Sequence, residues 1–332
     1  MSGLPSFGTI SLALQSAKGV PAAVPTHKFN LASDPSFGPA KTRERYVSTD
    51  LDNGPAFTSL LAVEGNMTVY AHPDGVAFLL AAVSGDVTSD GTGGHVIVPA
   101  DDMLWVTAFR EVGGVIVEQF VDCKVHAITL EGEAGQALTI AVEVIGCEAH
   151  WKTGANADAI EAVTALSADG YIYPEAQGRI KLNATEERIH SITFGISRNG
   201  SGYQSDGYGY DDVDPGKREV TLSFSTRLGS GAIGAADYAE FYYGDAAPAD
   251  GTELSPAVAT AAFEVEFFRS ADLSLAIALP EITYAAVPVN ASTSGEPIDV
   301  EVACEVEKPS GSPIYTITVN DGMADLAGTP AA

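Results

Sequence analysis

The feature that most constrains this 332-residue chain is that its second half repeats the pattern of its first. Three blocks match in the same order, and a fixed order of matching blocks is the signature of a repeated structural unit. The first opens each half: Gly8-Thr9-Ile10-Ser11-Leu12 faces Gly178-Arg179-Ile180-Lys181-Leu182, and His27–Leu31 then faces His190–Phe194. The second is an alternating strand followed by a short helix that ends in Gly-Asp. Met67–Ala71 faces Val220–Phe224, and the helical stretches 76–83 and 235–243 run into Gly85-Asp86 and Gly244-Asp245. Each glycine stands where a helix C-terminus takes a left-handed residue. The third closes each half, with Leu138–Val144 facing Ile298–Cys304 and Gly135 facing Gly295. In it Leu138, Ile140, Val142 and Val144 alternate with small or polar residues, as do Ile298, Val300, Val302 and Cys304, which is the period of a half-buried strand.

The reading is a mostly β chain of two tandem β-sandwich domains, residues 1–153 and 171–332, each with one short flanking helix. Ile160, Val163 and Leu166 at helical spacing suggest a helical linker over 154–170. Gly113-Gly114 between two apolar runs predicts a hairpin turn. Each half also holds a long excursion, about 32–63 and 198–217, which reads as irregular.

Composition excludes several classes. A net charge of −27 is the wrong sign for a protein that grips nucleic acid through phosphate. No apolar run reaches the roughly 18 residues of a membrane helix. The opening Met1-Ser2-Gly3-Leu4-Pro5 lacks the basic and apolar stretches of a secretory signal, so a cytosolic site of synthesis is expected. Cys123, Cys147 and Cys304 are too few, and odd in number, for a disulfide framework, and read as small core residues.

Catalytic patterns are missing or fail on context. Gly229-Ser230-Gly231-Ala232-Ile233-Gly234 spells a dinucleotide fingerprint, but its preceding strand alternates instead of being apolar throughout, and no parallel βαβ pattern surrounds it. The six histidines form no metal-binding pair, and the repeat places His27 opposite His190. Asp206, Asp211, Asp212 and Asp214 sit in a glycine-rich loop without calcium-loop spacing. Neither catalytic residues, metal nor cofactor are expected, and the chain reads as non-enzymatic.

Glu64-Gly65-Asn66-Met67-Thr68-Val69-Tyr70 with its short apolar helix, and Gly216-Lys217-Arg218-Glu219-Val220-Thr221-Leu222-Ser223-Phe224 with the preceding Ile189–Phe194, resemble the tail tube proteins of long-tailed, siphovirus-type bacteriophages. The closest class carries two tube domains in one chain. The resemblance implies a structural subunit of the virion tail, assembled in the host cytoplasm. Three copies would form a pseudo-sixfold ring lined by a β-barrel, and rings would stack into a hollow conduit. Its partners would be further copies of itself, other tail proteins at the tube ends, and viral DNA that passes without being bound; no membrane is implied. The lumen candidates are Glu143, Asp299 and Glu301, then Glu118 and Glu133. Tyr203, Asp206, Tyr208, Tyr210, Asp211 and Asp212 are candidates for an inter-subunit loop. The alternative is a virion decoration or adhesin-like β-sandwich that binds a glycan or receptor through exposed tyrosines.

Overall fold

The computed structural model describes residues 8–45, 56–164, 178–228, 233–256, 260–270, 272–289 and 298–327. The first half of the chain contains β1 (Gly8–Leu14), β2 (His27–Lys28), β3 (Gly38–Arg45), β4 (Ala56–Tyr70), α1 (Pro73–Ser84), β5 (Gly85–Ser89), β6 (Gly94–Pro99), β7 (Trp105–Val112), β8 (Ile116–Glu133) and β9 (Thr139–Trp151). After α2 (Ala155–Glu161) the second half contains β10 (Gly178–Leu182), β11 (Thr185–Glu187), β12 (Ser191–Ser197), β13 (Ser201–Tyr203), β14 (Asp212–Asp214), β15 (Glu219–Arg227), α3 (Ala235–Tyr243), β16 (Thr260–Ser270), β17 (Leu273–Ala286), β18 (Asp299–Val306) and β19 (Thr316–Asn320). The chain is therefore mostly β, and its strand pairings among the described residues are antiparallel.

One layer runs in the order β3–β4–β9–β8–β12–β15–β18–β17. Behind it, β2–β1–β7 pair onto the N-terminal part of β8, while β11–β10–β16 pair onto β17, which continues through β19 and β6 to β5. Alternation decides which side chains face inward. Val69, Ile140, Val142, Leu130, Ile192, Phe194, Phe224 and Val302 point from the first layer into one core with Ile10, Leu12, Val106, Ile180, Phe263 and Val265. Each fully buried Leu, Ile or Phe there stabilises the fold by about 1.5–3 kcal/mol.

The pairing order β1–β7–β8–β9–β4 recurs as β10–β16–β17–β18–β15. Registers correspond as well: Met67 pairs with Val142, and Phe224 pairs with Val302. The sequence comparison set Met67 opposite Val220; cross-strand pairing sets it opposite Phe224 instead, because Val142 and Val302 are the fixed points. His27 and His190 also part company. His27 lies on β2 against Leu12, whereas His190, just before β12, donates its backbone N–H to the Ser225 carbonyl.

Local expectations held at the turns. Gly113 and Gly114 have φ of 59° and 65°, the two left-handed residues of the tight β7–β8 hairpin. Gly85 and Gly244 end α1 and α3 in the left-handed conformation. Two expectations change. The excursion at 32–63 is largely regular, since β3 and β4 pair as a hairpin arm. Two separate strands expected over 114–131 are one, β8, bent at Asp122, whose φ is 52°. Gln15 holds that bend: its side-chain N–H donates to Asp122 Oδ1 at 2.7 Å, and its side-chain oxygen accepts from the Asp122 N–H at 2.9 Å.

The halves meet along two strand seams, β8–β12 and β19–β6. Helix α1 lies beneath them. Its run of apolar residues has no polar face, and Val76 to Val83 are all buried, as a helix apolar on every side requires. Tyr315 Oη donates to Ser84 Oγ at 2.9 Å, and His95 Nε2 lies 3.1 Å from Asp321 Oδ1, both across the halves. In α3, by contrast, no residue is fully buried. Of the expected linker, residues 155–161 form α2; 165–170 lie outside the described residues, as do Gly229–Ala232 of the glycine motif.

Candidate functional site: an acidic face on the eight-stranded layer

The layer has two faces, set by the two-residue period of its strands. One is the core. On the other, pairing brings the following residues into rows: Tyr70, Thr139, Glu131, Thr193, Ser223 and Ala303; then Thr68, Ala141, Thr129, Gly195, Thr221 and Glu305. Asn66, Glu143, Ala127, Ser197 and Glu219 make the next row, and Glu133, Ser191, Ser225 and Glu301 lie beyond the first, with Asp299 opposite Arg227. This surface is small, polar and acidic, and it crosses from β4 to β18 without interruption at the β8–β12 seam.

Four of the five sequence candidates share it. Glu143, Asp299, Glu301 and Glu133 are exposed. Glu143 Oε2 lies 3.6 Å from His126 Nε2, and Asp299 Oδ1 lies 3.5 Å from Arg227 Nε. Burial holds His126 below the usual imidazole value, against the pull of Glu143 and Glu64. Glu118 does not join them. It sits on the N-terminal part of β8, is 9% exposed, and takes the Arg110 guanidinium at 2.5 Å. Sequence reasoning missed Glu131, Glu219 and Glu305. Extending the alternation two residues back from Glu133 and two forward from Ala303 reaches the first and last.

The loop candidates form a compact excursion held against the first half. Lys18 Nζ pairs with Asp212 Oδ2 at 2.7 Å and donates to the Asp211 carbonyl at 2.7 Å. Asp211 Oδ2 accepts from the Ser205 hydroxyl and backbone N–H, which lowers its pKa. Tyr210 packs with Val213 on Ile145 and Cys147. Tyr203 and Tyr208 are exposed, and Asp206 accepts from Ser205 Oγ at 3.2 Å.

Among the described residues, no group of three or more His, Cys, Asp or Glu is placed to hold a metal ion, and no helix is long and apolar enough to cross a membrane. The thiols of Cys147 and Cys304 are pushed up to about 11 and about 12 by burial, so neither is a nucleophile at neutral pH. Gly234 caps α3, its N–H donating to Asp237 Oδ2 at 2.8 Å, which gives the end of the glycine motif a helix-starting role.

The described residues thus form a layered antiparallel β fold with an extended acidic face on one side. The profile of the phage tail tube protein family matches residues 8–307. The chain belongs to that family, and it is a structural component of the virion tail that self-assembles with other tail proteins into a tube. No curated protein matches it.

Proposed function

We propose that this protein is the repeating subunit of the tail tube, and that its acidic face lines the channel through which DNA leaves the capsid. The observation that carries the reading is the unbroken polar face across both halves of the layer. DNA carries about one negative charge per 1.7 Å, so a wall without cationic grip lets it slide. Glu143, Asp299, Glu301 and Glu133 line the lumen, joined by Glu131 and Glu219.

The two halves, 1–153 and 171–332, act as equivalent units, and three copies make a pseudo-sixfold ring. The seam within the chain is the template for the seam between chains. In the first, β8 continues beyond its pairing with β7 to pair with β12. Among the described residues its counterpart β17 ends at Ala286 beside no such partner, and the counterpart of β12 is the segment that leads into β3. Pairing these between copies closes the layer into a barrel and leaves no free edge. Eight strands from each of three copies, spaced about 4.8 Å apart and tilted about 40°, give a backbone diameter near 50 Å, wide enough for duplex DNA. Rings then stack into the conduit.

Negative-stain microscopy of the concentrated protein tests this. Annuli or tubes with a central channel are expected. Discrete monomers that bind a glycan through Tyr203 and Tyr208 would instead select the decoration reading. Changing Glu143, Asp299 and Glu301 to Lys should leave assembly intact and slow DNA ejection; unchanged ejection would place these residues outside the channel.

A further inference from the structure

The two excursions leave the layer at corresponding places. Gly38 pairs with Glu64, which pairs with Ile145. Gly195 pairs with Thr221, which pairs with Glu305. The second-half excursion folds back on the first half. Its Val213 is fully buried against Ile145 and Cys147, and Asp212 pairs with Lys18. The Leu61 N–H also donates to the Tyr208 carbonyl at 2.6 Å.

Among the described residues, the outer strand of the first-half excursion, the β3–β4 arm, pairs with β4 alone. That strand, β3, is exposed from Pro39 to Arg45. Lys41, Arg43 and Arg45 alternate along it, so the three cations share one face. The chain has 17 basic residues against 44 acidic ones, so such a cationic strand face is a local exception. Among the described residues neither Lys41 nor Arg43 has a carboxylate partner.

The surface corresponding to the berth has the opposite sign. Where the first half presents Ile145 and Cys147, register places Glu305 and, two residues on, Glu307 in the second half. Both are exposed, and Glu307 Oε1 accepts from Thr283 Oγ1 at 3.3 Å. Within the chain the contact is an apolar cluster flanked by the Lys18–Asp212 ion pair, and across the site left open it would be cationic on anionic.

We infer that the β3–β4 arm of one copy docks on the Glu305–Glu307 surface of a second copy, as the β13–β14 excursion docks on the first half of its own chain. The inference rests on the self-assembly proposed above and adds a head-to-tail contact between neighbouring copies.

A charge swap tests it. The variants are Lys41→Glu/Arg43→Glu, Glu305→Lys/Glu307→Lys, and the four changes combined, each checked for an unchanged circular dichroism spectrum and melting temperature. Assembly is followed by sedimentation velocity at low and high salt. Each double variant should need at least about tenfold more protein to assemble than the wild type, the ratio that a modest interface loss produces. The fourfold variant, with both signs inverted, should return to within about threefold of wild type, and salt should weaken wild-type assembly. Double variants that assemble like wild type, or a fourfold variant no better than either, would overturn the docking and leave self-assembly standing. A wild type that never assembles would remove both.

Discussion

His27 should make the protein lose stability in acid by a calculable amount. Its ring is 1% exposed, with its centroid 4.5 Å from that of Phe78 on α1, and Nδ1 lies 2.8 Å from Thr26 Oγ1. Burial pushes its pKa down to about 4, against 6.5 in an unfolded chain. Above pH 6.5 both states hold the ring neutral and the histidine costs nothing. As the pH falls from 6.5 towards 4, the unfolded chain takes up a proton that the folded chain refuses, so stability is lost in that window. At 1.36 kcal/mol per pH unit, the loss reaches about 2.5 kcal/mol at pH 4.5. His27→Phe keeps the aromatic packing and removes the proton site. Urea unfolding followed by tryptophan fluorescence at pH 8 and pH 4.5 measures both proteins. The wild type should lose about 2.5 kcal/mol more than the variant, whatever the carboxylates contribute to each. Equal losses would show that the ring is protonated in place and that the reasoning from burial is wrong.

His95 should behave with the opposite sign. Its hydrogen bond to Asp321 raises its pKa, so its stabilising contribution is present below pH 6.5 and fades as the pH rises through the folded value; His95→Gln should flatten the wild-type loss between pH 6 and pH 8. At Gly65, φ is 148° and a Cβ would lie 2.7 Å from Phe37 Cα, so Gly65→Ala should cost at least about 2 kcal/mol in urea unfolding. A Gly114→Ala change meets open space and strains only the backbone, so about 1 kcal/mol is expected in the same assay. The buried thiols should resist a thiol reagent in native buffer and react when urea is added; prompt labelling of Cys147 would contradict its position under Val213 and Tyr210.

The parts legible in the sequence are those where one periodicity meets one environment. The alternation of Leu138–Val144 and Ile298–Cys304 marks strands with one buried face, and Gly113-Gly114, Gly85 and Gly244 mark positions that need positive φ. The candidate face was legible in part for the same reason: Glu143, Asp299 and Glu301 occupy the polar phase of those strands. Three features were hidden. β3 reads Gly-Pro-Ala-Lys-Thr-Arg-Glu-Arg and buries almost nothing, so no apolar phase betrays a strand. The Asp122 bend breaks the alternation of β8 and splits it into two apparent strands. Glu118 looks like Glu143 in sequence, and only the approach of Arg110 from the neighbouring β7 separates a paired, buried carboxylate from an exposed one.

The β8–β12 seam has a kinetic consequence. Because both strands belong to one polypeptide, their meeting is unimolecular and insensitive to dilution, whereas any joint with another molecule must wait for an encounter. In the ring proposed above, folding would thus deliver a prefabricated arc, and only the remaining joints would respond to how much protein the cell has made.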